Sequence, residues 1–353
     1  MQSQLAARSP SLSTLASPSS RTLALRTPAN ANLVAVAHAV LQRHGRSFAL
    51  AGRLLPRDRR DDAAIVYAFC RLVDDTADDA ETPELARAGL DVLGAWLRAP
   101  LGSPGPELSG RLRSAGLDAQ ARELVAAFVA VCERRSIDLG AAEELIQGAR
   151  GDLGHVEVAD DAELLRYGYR VAGTVGWMMC GVLGVTDRTA LAQAIDLGIA
   201  MQITNICRDV REDAGMGRVY LPATRLRAAG IEPGRLLRGD VDRVALGTVV
   251  RDLLSLADRY YQSAAGAFAA IPMRARIAIV VASAVYRAIG VRLLRRHGGD
   301  PWHGRTVVPT ATRWALAALA IVGALRYGRR SRRRHRASLH GALAGLPGIE
   351  HTP

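Results

Sequence analysis

Apolar residues recur at intervals of three and four along nearly all of the chain from about Asn32 to Leu325, which is the period of an α-helix. No segment there alternates apolar and polar residues between turn signals, as a half-buried strand would. Helices of more than twenty residues with short connections are typical of a helical bundle. The pattern therefore predicts an all-α fold, a single large helical bundle. The predicted helices run near 32–45, 58–79, 84–98, 118–137, 140–150, 161–184, 187–211, 239–270 and 273–296.

The charge is distributed unevenly, and this distribution divides the chain. The formal net charge is +12, but residues 1–57 hold seven Arg and no acid, and residues 301–353 hold nine Arg and one Glu, so residues 58–300 sum to −3. A mildly acidic body argues against nucleic acid as a partner. We expect a disordered N-terminal extension at 1–31, the bundle at 32–325 and an Arg-rich C-terminal tail at 326–353.

The first candidate site is an acidic stripe in the segment YAFCRLVDDTADD. Asp74 and Asp78 are four residues apart, so on a helix both carboxylates leave from one face, and Arg71 lies three residues before Asp74. Like charges at this spacing destabilise a helix by a few tenths of a kcal/mol unless a cation binds them, and the helix C-terminus disfavours acids as well. Two local rules are broken at one place, which indicates a functional site.

A second stripe lies in QITNICRDVREDAGMGRVYLP. Asn205, Asp209 and Asp213 follow one another at intervals of four, and Arg208 adjoins them. Oxygen ligands on rigid helices suit Mg²⁺ or Mn²⁺ that bridges to phosphate, whereas zinc would want His or Cys at this spacing. Two such stripes, each beside an Arg, predict a site for a diphosphate and metal ions.

Two further segments complete this picture. Gly215 and Gly217 provide backbone freedom just before Arg218, which suggests a flexible lid that brings an Arg onto phosphate oxygens. Between the stripes, Val171 and Val175 belong to an apolar wall in YGYRVAGTVGWMMCGVLG. Taken alone this wall favours tight core packing, but between two cation-binding stripes a long apolar cavity is the better interpretation.

Long motifs carry a resemblance to a known family. HGRSF (44–48), YAFCRLVDDTAD (67–78), YGYRVAGTVGWMM (167–179), the second stripe from Gln202, and the later Tyr286 and Arg305 resemble the squalene/phytoene synthase family, and within it the bacterial phytoene synthases. The resemblance implies an isoprenoid synthase fold around a central cavity. It also implies head-to-head joining of two geranylgeranyl diphosphates through a cyclopropylcarbinyl diphosphate to phytoene, in carotenoid biosynthesis.

The resemblance also assigns roles to residues. It implies that Asp74, Asp78, Asp209 and Asp213 hold Mg²⁺ or Mn²⁺ with support from Asn205, and that these four Asp are catalytic together with Tyr167 and Tyr286. The substrate-binding positions that it implies are Arg71, Arg208, Arg218, Arg305, Tyr67, Tyr220, Gln202, Asn205, Ser47, Phe48, Val171 and Val175. Two departures concern the lid, Ala214 to Gly217, which lacks the basic residues common in relatives, and VVPTATR after Arg305.

Other functions stay open at this stage. A sister enzyme could make squalene, dehydrosqualene or a hopanoid precursor from two farnesyl diphosphates. A squalene synthase would need NADPH, but no G-x-G-x-x-G signature follows a strand, so no NADPH is expected. A non-catalytic scaffold of the same fold could lose its carboxylates, and all four are present. A head-to-tail prenyltransferase shares D-D-x-x-D but not the second motif.

The end of the bundle indicates where the protein works. The apolar run from Trp314 to Leu325 is shorter than the ~20 residues of a membrane span, and an Arg-rich segment follows it. It fits either a last core helix or an interfacial helix on an anionic membrane surface. We expect a cytoplasmic monomer that associates peripherally with the inner membrane face.

Overall fold

Aspartate side chains cap the N-termini of five helices. The computed structural model describes residues 31–45, 52–53, 55–99, 117–185, 187–327 and 335–349. Five helices in these ranges begin after an Asp whose carboxylate accepts hydrogen bonds from the first-turn backbone N–H groups, which would otherwise lack partners. These capping residues are Asp118, Asp138, Asp160, Asp187 and Asp242.

Thirteen α-helices form the described part of the chain. They are α1 (Ala31–His44), α2 (Arg57–Asp78), α3 (Pro83–Arg98), α4 (Ala119–Arg135), α5 (Leu139–Gly151), α6 (Asp161–Gly168), α7 (Thr174–Leu183), α8 (Arg188–Gly215), α9 (Ala223–Ala228), α10 (Pro233–Leu237), α11 (Arg243–Ala264), α12 (Met273–His297) and α13 (Thr310–Tyr327). Two strands of two residues, β1 (Val156–Glu157) and β2 (Arg218–Val219), pair in parallel. The predicted all-α fold is confirmed.

Helix α8 is the centre of the bundle. It contacts α7, α11 and α12, and its buried residues include Ile195, Ile199 and Ile203. By length and composition α8 and α12 could each cross a membrane, but 61% of the most apolar window of α8 and 44% of that of α12 are buried inside the protein. Burial of this kind is expected of core helices in a bundle.

The predicted helix over 161–184 is interrupted. Residues Tyr169–Gly173 form a π-helical turn between α6 and α7, and the backbone N–H of Thr174 bonds to the carbonyl of Tyr169 five residues earlier. Such turns are frequent at functional sites. Here the turn contains Val171 of the apolar wall that the sequence singled out.

Two glycines let the backbone of this wall pack directly against the backbone of α8. A Cβ on Gly198 would lie 2.2 Å from the carbonyl oxygen of Ala172, and one on Gly176 would lie 2.4 Å from that of Ala194. These atoms belong to backbone that cannot swing aside, so no larger residue fits without moving a helix. Gly176 and Gly198 therefore serve close helix packing.

The division of the chain at residues 31 and 326 stays a prediction, and residues 1–30 lie outside the described ranges. Within the C-terminal part, Leu343, Leu346 and Ile349 are buried in the main hydrophobic core. The hydroxyl of Tyr260 donates to the carbonyl of Leu339 at 2.7 Å, and that of Tyr169 donates to the carbonyl of Pro347 at 2.5 Å. Residues 335–349 thus pack against the bundle.

We expect Gly198→Ala to lower the free energy of unfolding by about 1–3 kcal/mol, because the added methyl group meets a backbone carbonyl. Gly323→Ala is the matched control: Gly323 lies inside α13 with nothing within 4 Å of an added Cβ, so helix propensity should raise stability by up to about 1 kcal/mol. Denaturant titration measures both. Equal effects of the two variants would contradict the close approach.

Candidate active site

Each acidic stripe lies at the C-terminal end of a long helix. Asp74 and Asp78 occupy the last two turns of α2, and Asp209 and Asp213 the last two turns of α8. Because residues four apart share a helix face, each pair forms one patch of carboxylates. Neither helix has a basic residue in its last turn to offset them.

Arg218 connects the two pairs. Its guanidinium donates to Asp78 at 2.9 Å, and its positive charge also lowers the pKa values of Asp152 and Asp213. Gly217, with φ +75°, turns the chain just before it, and β2 then holds Arg218 through its pairing with β1. The segment predicted as a lid therefore places an arginine between the carboxylates of α2 and α8.

Asp152 is a site residue that the sequence reasoning missed. Its carboxylate accepts hydrogen bonds from the hydroxyls of Tyr220 at 2.7 Å and Tyr167 at 3.0 Å, and the two rings stack with centroids 4.8 Å apart. Asp152 follows the last residue of α5. Nothing in the sequence marked it, because it has no acidic neighbour at helical spacing. The resemblance had assigned both tyrosines to the site but not their shared partner.

Crowding raises the pKa of three carboxyls. The side chain of Asp74 is exposed to water, but surrounding protein atoms partly desolvate its carboxylate and nearby Asp78 repels it. The pKa of Asp74 therefore rises to about 7, although the charge of Arg71 lowers it. Desolvation and Asp209 raise the pKa of Asp213 to about 7 against the opposing charge of Arg218. Desolvation raises that of Asp152 to about 6, against the hydrogen bonds from the two tyrosines. We call the region around these carboxylates and Asp78 and Asp209 the acidic recess. It holds more negative charge than the neighbouring arginines offset.

This donor set fits a hard divalent cation. Beyond the crowded carboxylates, the buried side-chain oxygen of Asn205 has no hydrogen-bond partner among the described residues. The Nδ2 of Asn205 donates to Gln202 at 3.4 Å. Carboxylate and amide oxygens are ligands that Mg²⁺ and Mn²⁺ prefer. Asp74, Asp78, Asn205, Asp209 and Asp213 are thus suited to hold such ions.

Asp209, unlike Asp74 and Asp213, is paired directly with two arginines. Arg208 donates from its Nε and one Nη to the two oxygens of this carboxylate. The Nε of Arg305 lies 3.4 Å from Oδ1 of the same carboxylate. Tyr286 adjoins this group: burial raises its pKa, which Arg208 and Arg305 lower and Asp209 raises. Two predicted diphosphate-binding arginines therefore meet one predicted metal ligand.

The remaining predicted residues are distributed as follows. Arg71 forms its ion pair with Asp75 rather than with Asp74, although its charge lowers the pKa of Asp74. Burial raises the pKa of Tyr67 to about 12, with a further contribution from Tyr286. Ser47 and Phe48 lie outside the described residues.

Two apolar cavities share part of their lining, and one of them reaches Asn205 of the second stripe. One, of about 230 Å³, is lined by Val171, Val175 and Met179 and has Gln202, Asn205 and Tyr286 at its polar side. The other, of about 130 Å³, has Tyr67 and Arg60 in its wall. Both cavities share Val175, Met179, Leu183 and Ile279. The apolar wall predicted from the sequence thus separates and lines two chambers.

Residues 41–315 match the squalene/phytoene synthase family. The chain belongs to this family. It is 35% identical over 294 residues to a 15-cis-phytoene synthase of Paracoccus sp. (strain N81106 / MBIC 01143), covering 82% of this chain and 90% of the relative. It is also 35% identical to a 15-cis-phytoene synthase of Pantoea ananas, covering 79% and 88%.

Solved structures with the family's fold are similar to this bundle. A dehydrosqualene synthase in complex with ligand matches with a TM-score of 0.69 at 24% identity, over 84% of this chain and 98% of that structure. The squalene synthase HpnC from Alicyclobacillus acidocaldarius matches with a TM-score of 0.64 at 21% identity, over 76% and 95%. The expected isoprenoid synthase fold is therefore confirmed.

We expect Asp74→Asn to raise the free energy of unfolding, measured in chelator, and the gain to grow with pH. A carboxyl whose pKa rises on folding destabilises the fold by an amount that is absent below the unfolded pKa of about 3.9 and complete above the folded pKa, here about 7. The gain should therefore be small at pH 4 and largest above pH 7. Asp75→Asn breaks the ion pair with Arg71 and should show no gain. A pH-independent effect of Asp74→Asn would argue against the crowding.

Proposed function

We propose that the protein is a phytoene synthase that joins two geranylgeranyl diphosphates head to head, through a cyclopropylcarbinyl diphosphate, in carotenoid biosynthesis. The observation that carries the proposal is the placement of two carboxylate pairs and their arginines beside two adjoining apolar chambers, in a chain about 35% identical to phytoene synthases over most of its length. The solved squalene and dehydrosqualene synthases are less than 25% identical, so they support the fold alone.

The acidic recess binds the diphosphate ends. Asp74 and Asp78 on one side, and Asp209 and Asp213 with Asn205 on the other, would hold Mg²⁺ or Mn²⁺, and such ions would supply positive charge for a departing diphosphate. Arg218 already lies between the pairs, and Arg208 and Arg305 can exchange their contact with Asp209 for phosphate oxygens. Arg71 contributes from the side of α2. Positive groups therefore surround the leaving diphosphate where charge appears.

The apolar chambers protect the carbocation. After the first diphosphate leaves, the allylic cation attacks the double bond of the second molecule, and water in the chamber would quench it as an alcohol. Val171, Val175 and Met179 provide walls without nucleophiles. Tyr67 and Tyr286 present ring faces that stabilise positive charge, and the pair Tyr167 and Tyr220, held by Asp152, closes the polar end.

The net reaction consumes two diphosphate esters and yields phytoene, two diphosphates and two protons, with no net oxidation or reduction. One proton is lost when the cyclopropane ring closes, and the other after the second diphosphate leaves. No nicotinamide cofactor enters this balance. Each departing diphosphate accepts one proton, so the site needs no dedicated general base. Squalene formation from farnesyl diphosphate would require a reductant, which separates that product by its cofactor as well as by its substrate. Dehydrosqualene formation would need no reductant and differs by its substrate alone.

Purified protein incubated with Mg²⁺ and geranylgeranyl diphosphate should form phytoene without nicotinamide, and a chelator should abolish the product. Asp74→Asn and Asp209→Asn should each lower turnover at least ~10²-fold, as loss of a major electrostatic stabiliser does. Chromatography of the hydrocarbon, with farnesyl diphosphate in a parallel reaction, is the measurement. A product formed only from farnesyl diphosphate would overturn the substrate assignment, and undiminished activity of either variant would remove that pair from the mechanism.

We further propose that the enzyme is a cytoplasmic monomer and is peripheral on the inner membrane face, where helix α13 contacts lipid. This helix turns small residues inward: Ala320 and Ala324 are buried, whereas Trp314 is 63% and Leu319 70% exposed. Ile321, Val322 and Leu325 are exposed as well. Large apolar side chains that face outward are typical of a membrane or partner surface, and the arginines that follow α13 favour anionic lipid.

The double variant Trp314→Ser/Leu319→Ser should weaken binding to anionic vesicles about tenfold or more, since burying either side chain contributes on the order of 1.5–3 kcal/mol. Both residues are exposed, so folding should be unaffected. Val244→Ser, at an 80% exposed position on α11, is the control. Sedimentation with anionic and neutral vesicles at low and high salt measures binding, which salt should weaken. Equal binding by all three proteins would exclude α13 as the contact.

A further inference from the structure

A buried group of Asp196, His335 and His340 lies away from the active site. Asp196 is on α8, thirteen residues before Asp209, which is about 20 Å along the helix axis. The two histidines belong to the C-terminal segment that packs on the bundle. Each of the three side chains offers one metal-ligating atom, and these atoms all lie within 4.8 Å of one another. No other group of three such side chains meets this distance in the described ranges.

The group is closed to solvent. The exposed fractions of the side chains are 0% for Asp196, 1% for His335 and 4% for His340. A carboxylate with no access to water is costly unless partners satisfy its charge and both of its oxygens. His340 meets one oxygen: its Nε2 lies 2.8 Å from Oδ1 of Asp196 in hydrogen-bond geometry.

The other polar atoms of the group are unsatisfied. Four atoms have no hydrogen-bond partner among the described residues: Oδ2 of Asp196, both ring nitrogens of His335 and Nδ1 of His340. His335 Nε2 lies only 3.1 Å from Asp196 Oδ2, yet the two atoms are not aligned as donor and acceptor. Because this nitrogen and this oxygen are close but not aligned, coordination of both to a shared third atom fits their positions better than a direct hydrogen bond between them.

The spacing fits a transition-metal ion. Zinc bonds to imidazole nitrogen and carboxylate oxygen measure about 2.0–2.2 Å, so two ligand atoms of a tetrahedral site stand roughly 3.3 Å apart. The contacts of Asp196 with His340 at 2.8 Å and His335 at 3.1 Å are close to this value. Imidazole suits zinc and similar ions, whereas Mg²⁺ and Ca²⁺ prefer oxygen ligands. The group therefore differs in chemistry from the active-site carboxylates.

We propose that Asp196, His335 and His340 bind one divalent transition-metal ion, with Zn²⁺ as the ion of best fit, and that this ion fastens the C-terminal segment to α8. The segment is already attached by the Tyr260 hydroxyl at Leu339 and the Tyr169 hydroxyl at Pro347. Metal coordination by residues from two distant parts of the chain stabilises the folded state because the site does not exist in the unfolded chain. This role is structural and independent of the proposed catalysis.

The experiment uses the untagged full-length protein, treated with chelator, incubated with Zn²⁺ and dialysed. Elemental analysis should find about one more zinc per chain in the wild type than in Asp196→Asn or His335→Gln, and Zn²⁺ should raise the thermal unfolding midpoint of the wild type only. His303→Gln is the matched control, since His303 also faces an Asp, Asp300, but its side chain is 61% exposed. An equal loss of zinc in His303→Gln, or no zinc difference between wild type and the two site variants, would overturn the proposal.

A second measurement requires no variant. X-ray absorption at the zinc edge of the loaded wild type should show nitrogen and oxygen ligands with the outer-shell scattering of two imidazoles. A spectrum with oxygen ligands alone would place the zinc at the active-site carboxylates and overturn the proposal, even where a variant fails to fold. Neither readout uses prenyl substrate, so the result does not depend on whether the protein makes phytoene.

Discussion

The backbone-close packing of α7 and the π-helical turn against α8 fixes the geometry on which the site depends. Gly176 and Gly198 allow this approach, each with a carbonyl of the opposite helix where a Cβ would stand. The contact sets the distance between the chamber wall, which includes Val171 and Val175, and the oxygen ligands on α8. A shift of α8 would move the polar and apolar halves of the site together, because one rigid helix carries Asn205 and Asp209 at one end and lines the chamber farther back.

The two halves of the site place opposite demands on the fold. The chambers must exclude water to protect a carbocation, whereas the recess must admit charged diphosphates. The boundary runs through Gln202, Asn205 and Tyr286, which have polar atoms at the edge of an otherwise apolar lining. The hydroxyl groups of Tyr167 and Tyr220 are held on Asp152, which fixes both side chains. The transition from charged to apolar surroundings in this cavity thus occurs over a few side chains on α8 and α12.

The sequence was sufficient to predict the helices and both stripes, because helical periodicity and the i, i+4 spacing of acids are local signals. Asp74 and Asp213 could be found for this reason. Asp152 could not, since its importance comes from tyrosines 15 and 68 residues away. The π-helical turn at 169–173 replaces ordinary helix where close packing overrides local propensity. Asp196 interrupts an apolar helix face and could have attracted attention, but its partners His335 and His340 lie in a segment whose composition suggested only an Arg-rich tail.

Both acidic pairs lie where the helix itself is already negative. The last carbonyls of α2 and α8 form the negative end of each helix dipole. Neither last turn contains a basic side chain that would offset it. The recess therefore combines two dipole ends, crowded carboxylates and the oxygen of Asn205. Desolvation by surrounding protein atoms and mutual repulsion leave Asp74 and Asp213 with raised pKa values, so the free protein bears a cost at neutral pH that a bound cation would offset. The same negative potential would repel a diphosphate that arrived alone. We therefore expect that a diphosphate enters this recess only when bound cations, together with Arg218, Arg208 and Arg305, reverse the sign of the local field.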